Sequence, residues 1–215
     1  MREQLIIVGA GDYGREMLSW AWQVPADQRT WEVKGFLDSR ADILDGFNLP
    51  VKILGTPETY VLEEWDRLIV AIGDTGLRRS YVELLARRGA RFISIFHPTV
   101  TLGMNNRWGV GCVFFPGAVL TTNISIGDHT TIGFCTAIGD QAVIGNYCTV
   151  TGSAVIGERA HLGEGVYMGF HASVAADVRV GDGALIGAGS TAVKEVAPHT
   201  TVLGVPGRKF GPARQ

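Results

Sequence analysis

The sequence repeats a pattern every six residues from Val100 to Glu195, where it divides into sixteen consecutive blocks without an insertion. The third residue of every block is apolar, and the fourth is glycine in eleven blocks, as in Ile126-Gly127. Alternate residues of a strand point to the same side, so positions one and three face a core together. We expect the glycine at position four to permit a bend after each short strand.

A chain that bends at this interval must coil, with successive turns about 4.8 Å apart like neighbouring strands of a sheet. Three blocks per turn give a little over five coils, and so an all-β parallel prism about 25 Å long. A helical face would repeat every 3.6 residues, which a period of six does not fit. Accidental regularity in a glycine-rich β-domain is the alternative, and it does not account for an unbroken run of such blocks.

The first hundred residues follow a different pattern. A buried strand is expected over 4–10, then the glycine-rich motif GAGDYG at 9–14 and a helix over 15–23. Strands are also expected over 31–38, 67–73 and 90–96, with a helix over 76–88 whose apolar face holds Leu77, Tyr81, Leu84 and Leu85. The alternation predicts a half-Rossmann-like α/β domain with a parallel sheet over 1–98, followed by the β-coil over 99–215.

The glycine-rich turn between strand and helix suits phosphate, because backbone N–H groups and the helix N-terminus face the anion. GxGxxG after a strand is commonly a dinucleotide site, and Asp38 lies near the spacing of an acidic ribose ligand. The predicted sheet is only about half of a Rossmann domain, however, and no second half follows. NAD is therefore the less favoured ligand.

The repeat resembles the hexapeptide-repeat left-handed β-helix, and nearly the whole chain resembles the bacterial sugar O-/N-acyltransferases of the NeuD and PglD type. The resemblance is carried by residues 9–14, 35–38, 70–74 and 78–79, and by 186–190 and 205–208 near the C-terminus. It implies an N-terminal domain that binds a nucleotide-sugar, UDP- or dTDP-linked, as substrate. It also implies a homotrimer that binds acetyl-CoA as co-substrate in the clefts between neighbouring prisms.

The resemblance places six residues of this chain at the nucleotide-sugar. Three belong to the glycine loop, two to the segment that reads the uracil ring, and one to a further contact; in that order they are Gly11, Asp12, Tyr13, Asp38, Ser39 and Gly73. An aspartate carboxylate can accept an imide N–H, which suits uracil or thymine. The family often has a second acidic residue where Ser39 stands.

Acyl transfer to an amine or hydroxyl needs a base, which is usually histidine because its pKa lies near the working pH. The family's base histidine corresponds here to Asp140, with Gln141 as its partner, and a second histidine that contacts the acetyl group corresponds to Thr149. Three explanations stay open. Asp140 is the base, another group is the base, or the chain no longer catalyses the transfer.

The resemblance further places Phe170 and Ala188 where family members contact CoA through the main chain. Because His171 adjoins Phe170, it is the best-placed substitute base, although it lies almost two coils from Asp140. The alternative for His171 is a surface histidine at a corner of the coil, and the alternative for Asp140 is a solvated corner residue.

Composition bounds the remaining possibilities. A formal net charge of −2 gives no reason to propose a nucleic-acid or membrane-surface partner, and no apolar run approaches the ~20 residues that span a bilayer. Cys112 and Cys148 fall at core-facing position one and Cys135 at a corner, so they form no paired framework. Histidines at matching spacing are absent, so no zinc or other metal site is expected. We expect a cytoplasmic protein without a signal peptide.

Together these features predict an acyl-CoA-dependent acyltransferase, with acetyl-CoA as the expected donor. It would modify an amino or hydroxyl group of a nucleotide-linked sugar in surface glycan biosynthesis. The alternative is a catalytically degenerate trimeric scaffold that binds a nucleotide-sugar, because Asp140 stands where the catalytic histidine is expected.

Overall fold

The computed structural model describes residues 2–213, which form two compact units divided between Pro98 and Thr99. The first unit is built on a four-stranded parallel sheet in the order β3-β2-β1-β4. Its elements are β1 (Glu3–Val8), α1 (Asp12–Gln23), β2 (Trp31–Leu37), β3 (Ile53–Gly55), β4 (Asp66–Val70), α2 (Thr75–Arg87) and β5 (Ile95–Phe96).

The central strand β1 forms the core of this sheet. Leu5, Ile6, Ile7 and Val8 are all fully buried, as expected of a parallel strand covered on both faces. Helix α1 begins at Asp12 rather than Arg15, because Gly11 is its N-cap. The short strand β3, which was not predicted from the sequence, pairs with β2 at the edge of the sheet.

The buried face of α2 differs from the prediction. The helix buries Thr75, Arg78, Val82 and Leu85, whereas Leu77 is 49% exposed. Of the face expected from the sequence, Leu85 is buried and Leu77 is exposed.

The second unit is a three-sided parallel β-helix, which confirms the predicted fold class. Sixteen two-residue strands, one per block, build it: β6 (Thr101–Leu102), β7 (Arg107–Trp108), β8 (Val113–Phe114), β9 (Val119–Leu120), β10 (Ser125–Ile126), β11 (Thr131–Ile132), β12 (Ala137–Ile138), β13 (Val143–Ile144), β14 (Thr149–Val150), β15 (Val155–Ile156), β16 (His161–Leu162), β17 (Tyr167–Met168), β18 (Ser173–Val174), β19 (Arg179–Val180), β20 (Leu185–Ile186) and β21 (Thr191–Ala192). Strands β22 (Thr200–Leu203) and β23 (Arg208–Pro212) follow them and pair antiparallel.

Each strand from β6 to β18 pairs in parallel with the strand three further along, so that residues eighteen apart are in register, as Ile126 is with Ile144. This pairing gives three faces. The first contains β7, β10, β13, β16 and β19; the second contains β8, β11, β14, β17 and β20 and continues into β22 and β23; the third contains β6, β9, β12, β15, β18 and β21. The core is filled from positions one and three, as predicted, and it includes Cys112 and Cys148, while Cys135 is exposed.

The bend of the coil does not come from glycine at position four, contrary to the prediction. Every sixth residue from Asn105 to Gly189, ten non-glycine residues and five glycines, has a positive φ between 52° and 71°. The glycines at position four are needed for a different reason, because a Cβ there would collide with the next coil. A methyl group on Gly127, for example, would lie 2.6 Å from the backbone nitrogen of Asn146.

Candidate functional site

A cavity of about 460 Å³ opens in the first unit at the carboxyl ends of β1, β2 and β4. Ligands of open parallel sheets bind at this end of the strands. All six residues that were assigned to the substrate line the cavity, namely Gly11, Asp12, Tyr13, Asp38, Ser39 and Gly73. The cavity therefore brings together residues from three separate segments of the chain.

The glycine loop forms one wall of this cavity. Gly9 has a φ of +97°, and a Cβ on Gly14 would lie 1.9 Å from the carbonyl oxygen of Gly9, so the loop and the first turn of α1 lie in close contact. Helix α1 starts without a side-chain cap at Gly11. The first N–H groups of a helix have no intrahelical partner and favour an anion. This wall can therefore bind phosphate.

A second wall is formed by Asp38, whose side chain is only 5% exposed. Its carboxylate accepts hydrogen bonds from the backbone nitrogen of Ala10 at 2.8 Å and of Arg40 at 3.0 Å, and from Nε and Nη2 of Arg40 at 2.9 Å each. Burial raises the pKa of Asp38, but the hydrogen bonds from Arg40 and Ala10 outweigh burial and hold that pKa below its ordinary value. Asp38 is therefore an ionised group that ties the glycine loop to the end of β2.

Arg40 and Tyr81 also line the cavity, although neither was predicted to do so from the sequence. Burial and the neighbouring Glu58 raise the pKa of Tyr81, so its hydroxyl keeps its proton. The signal for Arg40 was its position two residues after Asp38, because an aspartate side chain commonly bonds the backbone two residues on. Nothing in the sequence showed that the guanidinium would fold back onto the same carboxylate.

In the β-helix, Asp140 lies at the edge that follows the strands of the third face. We call this the aspartate edge and define it by Thr122, Asn123, Asp140 and Gln141. Asp140 accepts hydrogen bonds from Thr122 Oγ1 at 2.7 Å, Asn123 Nδ2 at 2.8 Å and Gln141 Nε2 at 2.7 Å. The expected contact between Asp140 and Gln141 is therefore present. Hydrogen bonds from Gln141, Thr122 and Asn123 lower the pKa of Asp140 to about 2, which makes this carboxylate a weak proton acceptor.

Another edge, which follows the strands of the second face, carries exposed aromatic side chains. We call it the aromatic edge and define it by Phe134, Phe170, His171 and Ala188. Phe134 and Phe170 are 38% and 49% exposed, and their ring centroids lie 5.8 Å apart although a coil separates them. Gly152 occupies the intervening coil, where a Cβ would lie 2.5 Å from the Phe134 ring. The glycine therefore leaves room for the two rings to meet.

The predicted acetyl-CoA residues collect around this aromatic edge. Phe170 and Ala188 lie in successive coils, linked by the hydrogen bond from Gly189 N to Phe170 O at 2.8 Å. Thr149 lies on β14, in register with Tyr167, and is 7% exposed. His171 is exposed on the same edge, so within one chain it does not share an edge with Asp140.

Within residues 2–213, no group of three or more His, Cys, Asp and Glu side chains is arranged to hold a metal ion. Neither helix found in that range is long and apolar enough to cross a membrane.

An α/β unit with a phosphate-suited loop, followed by a β-helix of six-residue blocks, defines a two-part hexapeptide-repeat protein. Residues 4–85 match the family described as PglD N-terminal domain, and residues 135–170 match bacterial transferase hexapeptide (six repeats). The chain therefore contains a match to the PglD N-terminal domain followed by hexapeptide repeats, which confirms the resemblance seen in the sequence.

Solved structures share this architecture over almost the whole chain. WeeI from Acinetobacter baumannii AYE is 23% identical, with a TM-score of 0.83, 97% of this chain covered and 100% of that one. The acetyltransferase domain of PglB from Neisseria gonorrhoeae FA1090, in complex with acetyl coenzyme A, is 24% identical with a TM-score of 0.74 over 98% and 100%. PerB from Caulobacter crescentus, in complex with CoA and GDP-perosamine, is 23% identical with a TM-score of 0.71 over 97% of each chain.

A curated sequence matches a shorter segment. The serine acetyltransferase of Bacillus pumilus (strain SAFR-032) is 54% identical over 37 residues, which are 17% of this chain and 17% of that protein. This match therefore spans less than a fifth of either protein.

Proposed function

We propose that the protein transfers an acetyl group from acetyl-CoA to an amino or hydroxyl group of a nucleotide-linked sugar, in surface glycan biosynthesis. The observation that carries the proposal is the cavity of the first unit, because six residues assigned to the substrate from separate segments all line it. The similar chains of known structure support it, since PglB was solved with acetyl coenzyme A and PerB with CoA and GDP-perosamine.

In this proposal the two units divide the work. The unit of residues 1–98 binds the nucleotide-sugar, with the diphosphate against the glycine loop and the base near Asp38 and Arg40. The β-helix of residues 99–215 binds acetyl-CoA along the aromatic edge, where Phe134 and Phe170 offer apolar surface to the pantetheine arm. The nucleotide is UDP or dTDP, and the reaction takes place in the cytoplasm.

A homotrimer follows from the same reasoning. The aspartate edge and the aromatic edge are different edges of one prism, so one chain alone does not bring Asp140 and Phe170 into a common cleft. In the proposed trimer the prisms pack around a threefold axis, with the aspartate edge of one copy beside the aromatic edge of the next. Each cleft then contains the acetyl-CoA contacts of one copy and the polar groups of its neighbour.

The chemistry needs one proton acceptor. The sugar amine or hydroxyl attacks the thioester carbonyl, the carbon–sulfur bond breaks, CoA leaves as the thiol, and the proton of the nucleophile is removed. Asp140 fits this role poorly, because three donors hold its carboxylate and its pKa is about 2. His171 is exposed on the aromatic edge beside Phe170 and is the better candidate for the base.

The test is acetyl transfer to a panel of UDP- and dTDP-linked amino-sugars, followed as release of the CoA thiol. We expect Asp140→Ala to retain most of the rate and His171→Ala to lose about 100-fold or more, in line with the usual size of general-base catalysis. His161→Ala is the matched control, because His161 lies on the first face, which does not border the aromatic edge. No turnover with any sugar, together with no CoA binding by calorimetry, would reject the transferase.

The second candidate function is a scaffold that binds a nucleotide-sugar without catalysis. The favouring observation is again Asp140, whose hydrogen bonds resemble those of a structural corner residue. In that case calorimetry shows nucleotide-sugar binding, whereas acetyl transfer is absent for the wild type and for Asp140→His alike.

A further inference from the structure

The Asp38 carboxylate has no acceptor position left for a ligand. A carboxylate offers about four lone-pair sites. Oδ1 accepts from the backbone N and Nε of Arg40, and Oδ2 accepts from Ala10 N and Arg40 Nη2. Two N–H groups on each oxygen satisfy the carboxylate completely, so it already functions as the anchor of the loop and of the guanidinium.

The group that a ligand meets at this wall is therefore Arg40. Its side chain is 57% exposed, against 5% for Asp38, and Nη2 lies 3.8 Å from the position of a Cβ on Gly11. A guanidinium has five N–H donors and no acceptor. Two of the five are used on Asp38, and the other three, on Nη1 and Nη2, are available to a ligand in the cavity.

The charge of the Asp38–Arg40 pair indicates which part of the ligand Arg40 contacts. Arg40 and Asp38 form a side-on ion pair with two parallel bonds of 2.9 Å, so their charges cancel at short range. A guanidinium whose charge is balanced by a carboxylate attracts a diphosphate less than an unpaired one does, and the start of α1 already offers N–H groups to that anion. It remains a well-oriented donor for a neutral carbonyl oxygen.

We propose that Arg40 determines base specificity by donating to an exocyclic carbonyl oxygen of the nucleobase, and that Asp38 is a positioning residue which orients Arg40. The proposal rests on the proposed function, since it concerns the same nucleotide site. Uracil and thymine present this carbonyl at C4 and guanine presents it at C6, whereas cytosine and adenine carry an amino group at C4 and C6 respectively. The cavity then prefers keto bases over amino bases, and the imide N–H is not what it reads.

The experiment is isothermal calorimetry with the full chain and matched nucleotide pairs, UDP against CDP and GDP against ADP. In the wild type we expect each keto nucleotide to bind up to about tenfold tighter than its amino counterpart, the size of one well-made hydrogen bond. N3-methyl-UDP keeps both carbonyls and lacks the imide N–H, so we expect it to bind within about threefold of UDP.

Variants separate Arg40 from a general effect of charge. In Arg40→Ala and Arg40→Lys we expect the UDP-to-CDP ratio to fall to within about threefold, since lysine cannot reproduce the planar fork. Arg87→Ala is the control, because Arg87 is exposed at the end of α2 and lies outside the cavity, and it should keep the wild-type ratio. Circular dichroism of each variant checks that the unit is folded.

The outcomes distinguish this inference from the proposed function. Strong UDP binding that N3-methylation abolishes would mean that Asp38 reads the imide, and it would overturn the role of Arg40 without any variant. An unchanged UDP-to-CDP ratio in folded Arg40→Ala would overturn it as well. If none of the four nucleotides binds the wild type, the nucleotide-sugar site is wrong and the inference is wrong with it.

Discussion

Two glycine-to-alanine substitutions, one at position four of the repeat and one at position six, test why the β-helix needs glycine at position four. Gly139 occupies position four, where a Cβ would lie 2.6 Å from Glu158 N and 2.9 Å from the carbonyl carbon of Gly157. Gly165 occupies position six, with a φ of +64° and no atom within 4 Å of its Cβ position. The same added methyl group therefore meets a backbone wall at one site and only an unfavourable φ at the other.

The two costs follow from this geometry. At Gly139 the nearest atom is 0.8 Å short of an ordinary contact of 3.4 Å, and it belongs to a coil held by the bond from Gly139 N to Ile156 O at 2.8 Å. Overpacking costs about 1–3 kcal/mol, and a backbone neighbour puts Gly139→Ala near ~3 kcal/mol. A left-handed conformation alone puts Gly165→Ala near ~1 kcal/mol.

Thermal unfolding followed by circular dichroism measures the difference. A chain of this length loses about 2–4 °C in Tm per kcal/mol, so we expect a fall of roughly 6–12 °C for Gly139→Ala and roughly 2–4 °C for Gly165→Ala. Equal shifts, or a larger shift for Gly165→Ala, would mean that the glycines at position four serve the bend of the chain after all.

Three further predictions concern the candidate site. Gly152→Ala pushes the Phe134 ring off Phe170, so KM for acetyl-CoA should rise several-fold while kcat changes little; an unchanged KM would remove the aromatic edge from acetyl-CoA binding. Asp140→Asn removes a carboxylate whose pKa is about 2, so the rate profile between pH 5 and 9 should keep its shape, and a lost limb there would identify Asp140 as the base. Folding lowers the pKa of Asp38, so the wild type should have a larger free energy of unfolding than Asp38→Asn at neutral pH. Denaturant titrations should show this difference shrinking as the pH falls from the unfolded pKa of about 3.9 toward the lower folded pKa. A difference that stays constant down to pH 2 would contradict the prediction.

The β-helix could be predicted from the sequence because its repeat is regular along the chain. Each block places an apolar residue such as Ile126 or Ile144 inward. The period of six can therefore be recognised from the sequence alone, without knowing which coils are neighbours. The function of glycine at position four depended on the next coil, eighteen residues further along. The close approach of Gly127 to Asn146 is visible only once the coils are stacked.

The cavity was predictable in part for the same reason. The glycine loop and Asp38 follow strands whose carboxyl ends meet in any parallel sheet, so their convergence could be inferred. The conformation of Arg40 could not be predicted, because an arginine side chain has four rotatable torsions and can extend into solvent in many ways. Tyr81 lies on a helix face that is apolar in sequence. Because α2 buries Arg78 and Val82, the face that carries Tyr81 lines the cavity.

The β-helix keeps the residues that hold it together apart from the residues that would carry chemistry. Its interior is filled from positions one and three, whereas Asp140, Phe170 and His171 stand at positions five and six, outside the packed core. Exchange of a side chain there changes what the molecule can bind or transfer at little cost to folding. The reactive group along an edge can therefore change while the scaffold stays intact.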